Sequence, residues 1–205
     1  MKKVIALVSG LALLLQSMST MAAPPQSAKT KTFDQWCEQR NSVPAATKLT
    51  IDLLLKQAGT QNCKQADVKI NSLTELNLSG GGISDLKPLS GLTNLTNLSL
   101  DDNEISDLKP LSGLTQLTSL SLDNNKISNL KPLSGLTKLI DLNLNVNKIS
   151  NIKPLAGLSQ LKVIYLQNNQ ISDPKPLSKL KLNSICLANN KIVDKNLQRD
   201  DDCKK

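Results

Sequence analysis

The chain has 205 residues, of which 1% are aromatic and none is histidine. A compact globule fills irregular interior space with aromatic rings, so a core left almost wholly to leucine and isoleucine points to thin repeated layers, and imidazole-based catalysis is excluded. The formal charge is +8, two units of it from Lys2 and Lys3, and arginine occurs only at Arg40 and Arg199; with no concentrated basic element and no stacking aromatics, nucleic acid is not an expected partner.

Residues 1–22 read as a signal peptide: Lys2 and Lys3 precede the apolar run from Val4 to Leu15, and Thr20 and Ala22 are the small residues before a cut after Ala22. The run is shorter than the roughly 20 apolar residues of a spanning helix, so the expected product is secreted or periplasmic, with no stable membrane anchor. Residues 23–69 follow as a polar leader and a helical N-terminal cap. Thr32 and Gln35 have capping-box spacing for a short helix carrying Phe33, Trp36 and Cys37, and Gly59 can end a second helix that holds Val43, Leu49, Ile51 and Leu53 to Leu55. Trp36, beside Phe33 and a cysteine, reads as cap core and not as a ligand-stacking ring.

Four cysteines in an exported chain suit disulfides. Cys37 and Cys63 bracket the N-terminal cap, Cys186 and Cys203 the far end, and the segment between holds the pairs too far apart to exchange, so the expected bridges are Cys37–Cys63 and Cys186–Cys203. Without CxxC spacing or histidine, no metal site is expected at these cysteines. No cofactor-binding pattern is recognisable either.

From residue 70 the sequence repeats every 22 residues, through six copies that end near residue 194, with 195–205 as a polar tail. In the second copy the apolar positions are Leu92, Leu95, Leu98, Leu100, Ile105, Leu108 and Leu111, and the third repeats them from Leu114 to Leu133. The Leu-x-Leu step has the alternation of a strand, and stacked copies make a parallel sheet. Pro88, Pro110, Pro132, Pro154 and Pro176 mark the opposite side of each turn as extended or 3₁₀. Asn103, Asn125, Asn147, Asn169 and Asn190 fall at one position after the strand, where stacked amides can satisfy the buried backbone of each turn; Gly81 takes that position in the first copy. The fold class is therefore an α/β solenoid: a parallel sheet on the concave face, a 3₁₀ or extended convex side and a helical N-terminal cap.

The pattern LxxLxxLxLxxNxISDLxPLSG, as in Leu92 to Gly113, resembles the internalin-type, 22-residue class of bacterial leucine-rich repeats. The resemblance covers residues 70 to about 194. It implies extracellular recognition of a protein partner through the concave sheet, by a non-catalytic module.

On each strand the residues alternating with leucine face outward. The expected partner-binding set is Glu75, Asn77, Asn97, Ser99, Asp101, Ser121, Asp123, Asp141, Asn143, Val163, Tyr165 and Gln167, a polar and mildly acidic surface on which Val163 and Tyr165 stand out. Tyrosine is a favoured anchor, so binding energy is expected to centre on Tyr165 with Val163, Asp141 and Asn143. A second array, Lys87, Lys109, Lys131, Lys153 and Lys175, recurs beside the prolines; it reads as a solvated edge, or as a rail for an anionic polysaccharide or lipid surface. Asp101 and Asp123 sit at equivalent positions of adjacent strands, as a carboxylate pair could, and with Asp102 form a weak candidate for calcium. An open sheet supplies no dry cleft and one tyrosine no substrate-stacking platform, so no enzyme is expected. The competing class is a structural or surface-assembly protein, against which terminal caps argue; the expected state is a monomer.

Overall fold

A computed structural model describes residues 31–193. The expected signal peptide, most of the leader, and the tail with Cys203 lie outside the described residues.

Three helices open the described chain: α1 (Phe33–Glu38), α2 (Ala45–Ala58) and α3 (Cys63–Asn71). At the start of α1 the Thr32 N–H donates to Gln35 Oε1 at 3.2 Å, the bond the capping-box spacing predicts, while the Thr32 hydroxyl engages Asp34. Helix α2 stops at Gly59, which takes the left-handed conformation at φ 63° and returns its N–H to the carbonyls of Leu55 and Lys56. Val43, expected within this helix, lies before it, because Pro44 is the N-cap and a residue preceding proline is steered away from helical backbone. Helix α3 has no counterpart among the sequence expectations. Asn62 starts it by accepting from the Gln65 N–H at 3.0 Å, and it runs to Asn71, so Ile70, first residue of the 22-residue period, is a buried helical residue. Its short apolar face, Ala66 and Ile70, is too sparse to show as a 3.6-residue rhythm.

The Cys37–Cys63 disulfide joins the start of α3 to α1, with Cα atoms 5.5 Å apart, as expected. Phe33 and Cys37 are buried, and Trp36 is half-buried against the same core with the Lys31 ammonium 4.5 Å from its ring centre. Helix α2 closes the open end of the solenoid. Its Thr50 hydroxyl donates to the Asp85 carbonyl at 2.7 Å, and a Cβ at Gly81 would come within 2.8 Å of Leu53 Cδ1 and 3.3 Å of the Leu78 carbonyl oxygen. Glycine replaces asparagine in the first copy because the cap occupies that space.

The solenoid proper holds six parallel strands in sequential order: β1 (Glu75–Asn77), β2 (Asn97–Ser99), β3 (Ser119–Ser121), β4 (Asp141–Asn143), β5 (Val163–Tyr165) and β6 (Ser184–Cys186). Register is constant: Leu76, Leu98, Leu120, Leu142, Ile164 and Ile185 form one inward row. The opposite side carries 3₁₀ turns at Lys87–Leu89, Lys109–Leu111, Lys131–Leu133, Lys153–Leu155 and Lys175–Leu177, each containing the predicted proline.

The asparagine ladder forms as expected. Asn125 Oδ1 accepts from the Ile105 N–H at 3.0 Å, while its Nδ2 donates to the carbonyls of Leu100, Leu122 and Asp123 at 3.0, 3.2 and 3.0 Å. Asn103, Asn147, Asn169 and Asn190 repeat this pattern, each reaching back one turn. The ladder completes hydrogen bonding at a bend that the tight strand-to-turn geometry would otherwise leave buried and unpaired. Just before each asparagine the chain takes a left-handed residue: Asp102, Asn124, Val146, Asn168 and Asn189, at φ 50–58°, and Gly80 in the first turn at φ 68°.

Candidate functional site

The outward residues form three parallel rows across the sheet. The first contains Glu75, Asn97, Asp141 and Val163; the second contains Asn77, Ser99, Ser121, Asn143 and Tyr165. The third, just past the strands, contains Asp101, Asp123 and Gln167. Strand spacing of about 4.8 Å brings neighbours within a row into contact range and leaves the row ends far apart. Glu75 and Asn77 at one end and Val163, Tyr165 and Gln167 at the other therefore form separate regions of one face. Ser119, between Asn97 and Asp141, belongs to the first row as well. Cys186 shares the second row beside Tyr165 but is fully buried and has a bonding partner; its expected bridge to Cys203 has that second cysteine outside the described residues.

The third row is tied laterally by hydrogen bonds. Asp101 Oδ1 accepts from the Ser121 hydroxyl at 2.6 Å and from the Asp123 N–H at 2.8 Å, so this carboxylate fastens one turn to the next. Asn145 does the same for the Gln167 N–H at 2.8 Å, and Asn145 is buried. These bonds give Asp101 a structural role beside any binding role. No group of three or more candidate metal ligands assembles among the described residues, so Asp101, Asp102 and Asp123 do not form the calcium cluster considered from sequence.

At the N-terminal end the concavity deepens where α2 overhangs the sheet. A depression of about 480 Å³ lies between Gln57 and the outward residues of β1 to β3. Gln57 was not anticipated because its place depends on how the cap docks, which the repeat pattern does not encode.

Toward the other end the surface changes character. Asp141 is half-buried with its pKa raised by desolvation, and none of the ion pairs among the described residues reaches it. Its register partner is Val163, and Asn143 next to it pairs with Tyr165. Two exposed aliphatic side chains flank β4: Ile140, 46% exposed, just before it, and Val146, 42% exposed, just after. Val146 also holds φ 50°, a conformation that a β-branched residue rarely adopts. The sequence carries a signal for Val146, since its position in the other turns is Gly, Asp or Asn.

No described helix is long and apolar enough to cross a membrane. The family described as "Leucine Rich repeats (2 copies)" matches residues 71–113 and 93–136, and that described as "Leucine rich repeat" matches 115–171. No curated protein matches the chain. Among solved structures it is similar to an internalin C2 of Listeria monocytogenes (43% identity, TM-score 0.56, 60% of this chain and 55% of that one). It is also similar to an internalin, InlF, of the same organism (31%, 0.65, 73% and 45%). A leucine-rich-repeat protein of Leptospira interrogans is a third (32%, 0.59, 63% and 35%). The chain thus spans about half or less of the length of these structures.

Proposed function

The chain belongs to the internalin-type leucine-rich-repeat family, a fold that typically serves as a non-catalytic scaffold for binding proteins, and from that premise we propose that it binds a protein partner on its concave face, with the energy centred on Tyr165, Val163, Asp141 and Asn143. The carrying observation is the desolvated Asp141 carboxylate beside Val163 and near the one tyrosine of the repeats. Burial without an ion pair costs free energy that a partner's lysine or arginine can recover, and an aromatic on a packed strand loses little entropy on docking. The partner surface is therefore a basic side chain next to an apolar one. Glu75, Asn77, Asn97, Ser99, Ser121, Asp101, Asp123 and Gln167 extend the contact as a polar and acidic rim, complementary to a basic partner. Export to an oxidising compartment accords with the Cys37–Cys63 bridge.

The test uses the mature protein as bait in its native secreted or periplasmic fraction. Tyr165→Ala should weaken capture by about 2 kcal/mol, roughly thirtyfold, with little change in melting temperature. The competing role for Tyr165 is to shelter buried Cys186, one strand away. A lowered melting temperature with capture intact would establish that role and defeat the proposal.

A further inference from the structure

The convex side carries a second surface that the concave-face reading does not use. Each lysine of the 3₁₀ turns is preceded by an aspartate or asparagine whose side chain accepts the lysine's own N–H: Asp107 for Lys109 at 2.9 Å, Asn129 for Lys131 at 3.0 Å, Asn151 for Lys153 at 3.0 Å and Asp173 for Lys175 at 3.0 Å. Backbone geometry is thus the same with either residue, and only the charge differs. Asp85 both caps its turn and lies 3.7 Å from the Lys87 ammonium. The ion pairs among the described residues join Lys48–Asp52, Lys87–Asp85 and Lys126–Glu104, and none engages Lys109 or Lys131.

The four junctions between successive turns differ in composition. The first and fourth include the carboxylates of Asp107 and Asp173. The third has Asn151 but replaces one serine by Ala156. The second combines Asn129 with Lys109 and Lys131, and with two serines, Ser112 and Ser134. These residues line a depression of about 470 Å³. Both serine hydroxyls donate inward, to the carbonyls of Lys109 and Lys131 at 2.8 and 2.9 Å, so their oxygen lone pairs remain as acceptors. Ammonium donors next to hydroxyl acceptors suit a ligand that carries both an anionic group and hydroxyl groups. A bare anion would leave the serine acceptors unused, and a lipid surface would prefer a broad basic face to a single cleft.

We propose that the depression between the second and third 3₁₀ turns binds an anionic saccharide, with Lys109 and Lys131 holding its sulfate or carboxylate and Ser112 and Ser134 accepting from its hydroxyls. The cleft is open and exposed, so affinity is modest and falls with ionic strength.

The mature protein is titrated with a sulfated dextran octasaccharide, its unsulfated equivalent, inorganic sulfate and phosphatidylglycerol vesicles, with melting temperature followed for every variant. Wild type should bind the sulfated octasaccharide most tightly. The double variant Lys109→Gln, Lys131→Gln should lose about tenfold. Asn129→Asp, which keeps the bond to the Lys131 N–H and restores the charge found at Asp107 and Asp173, should lose about threefold without unfolding. Lys87→Gln with Lys175→Gln should stay within about twofold, since neither lysine lines the depression, and Tyr165→Ala should have no effect. No binding by wild type, or equal losses from the two double variants, overturns the site. Vesicles or inorganic sulfate bound as tightly as the octasaccharide overturns the saccharide as its ligand.

Discussion

Val146 offers a sharp test of how the scaffold and its binding surface trade against each other. Its φ of 50° lies in the left-handed region, which costs an L-residue roughly 1–2 kcal/mol and a β-branched one at the upper end. The backbone bonds of residue 146 do not depend on its side chain: its N–H reaches the Gln167 carbonyl at 2.9 Å and its carbonyl accepts from the Asn125 N–H at 3.2 Å. The flanking turns carry Asp102, Asn124, Asn168 and Asn189, whose side chains bond sideways, Asn124 Nδ2 to Asp102 Oδ1 at 2.8 Å and Asn189 Nδ2 to Asn168 Oδ1 at 2.8 Å. Valine interrupts that row. Val146→Asn relieves about 1 kcal/mol of strain, because asparagine tolerates this conformation, and an exposed lateral bond adds a few tenths more. The side chain is 42% exposed, so little apolar burial is lost in return. The expected gain of about 1 kcal/mol should raise the melting temperature by about 3 °C in a chain of this size, measured by circular dichroism. On the concave-face reading the same substitution should weaken partner capture, because strain persists where a side chain has work to do. An unchanged or lower melting temperature would show that valine's packing outweighs the strain and refute the reasoning.

Two further predictions follow from the rows of polar side chains. Asn125→Ala removes the bond to the Ile105 N–H and the two amide hydrogens shared among three carbonyls, and leaves those backbone groups buried, so chemical denaturation should report a loss of about 3 kcal/mol or more; Asn190→Ala, in the half-buried last turn, should cost about half as much. Asp141→Asn removes a carboxylate whose charged form burial disfavours relative to the unfolded chain. Because its folded pKa lies above the unfolded value, wild type loses stability as pH rises from the ordinary carboxylate range through the folded pKa. The variant should therefore be the more stable at neutral pH, with the difference shrinking as pH falls below about 4; urea denaturation that finds the same difference at both ends would dispose of the buried-carboxylate argument.

The solenoid was legible because its physics repeats. A 22-residue period places each leucine, asparagine and proline in the same environment five times or more, so coincidence is averaged away and strand, ladder and 3₁₀ turn follow from one copy. The cap occurs once, with no second copy to average against: the sparse apolar face of α3 carries no readable rhythm, and the reason for Gly81 lies in Leu53, which α2 packs against it. The outward rows were equally readable, since alternation fixes them. What alternation cannot give is environment. Asp101 and Asp141 look alike in the sequence, yet one is fastened by a hydroxyl and an amide while the other is desolvated without an ion pair. The difference lies in neighbours one turn away, beyond any local pattern.

The asparagine ladder also bears on how such a chain can change length. Four of its links from an asparagine Oδ1 to an earlier N–H span 20 residues each at 2.8–3.0 Å, and the fifth, Asn190 to Ile171, spans 19 at 2.9 Å. The shortened sixth copy drops its residue between the 3₁₀ turn and β6, away from the bonded corner. A turn gained or lost by duplication or deletion of one period therefore reproduces the ladder bonds at the new junction, since at this corner each layer asks only for an identical neighbour. Scaffold length is inherited separately from the faces it displays, so a lineage can lengthen its binding surface while the corner chemistry stays fixed.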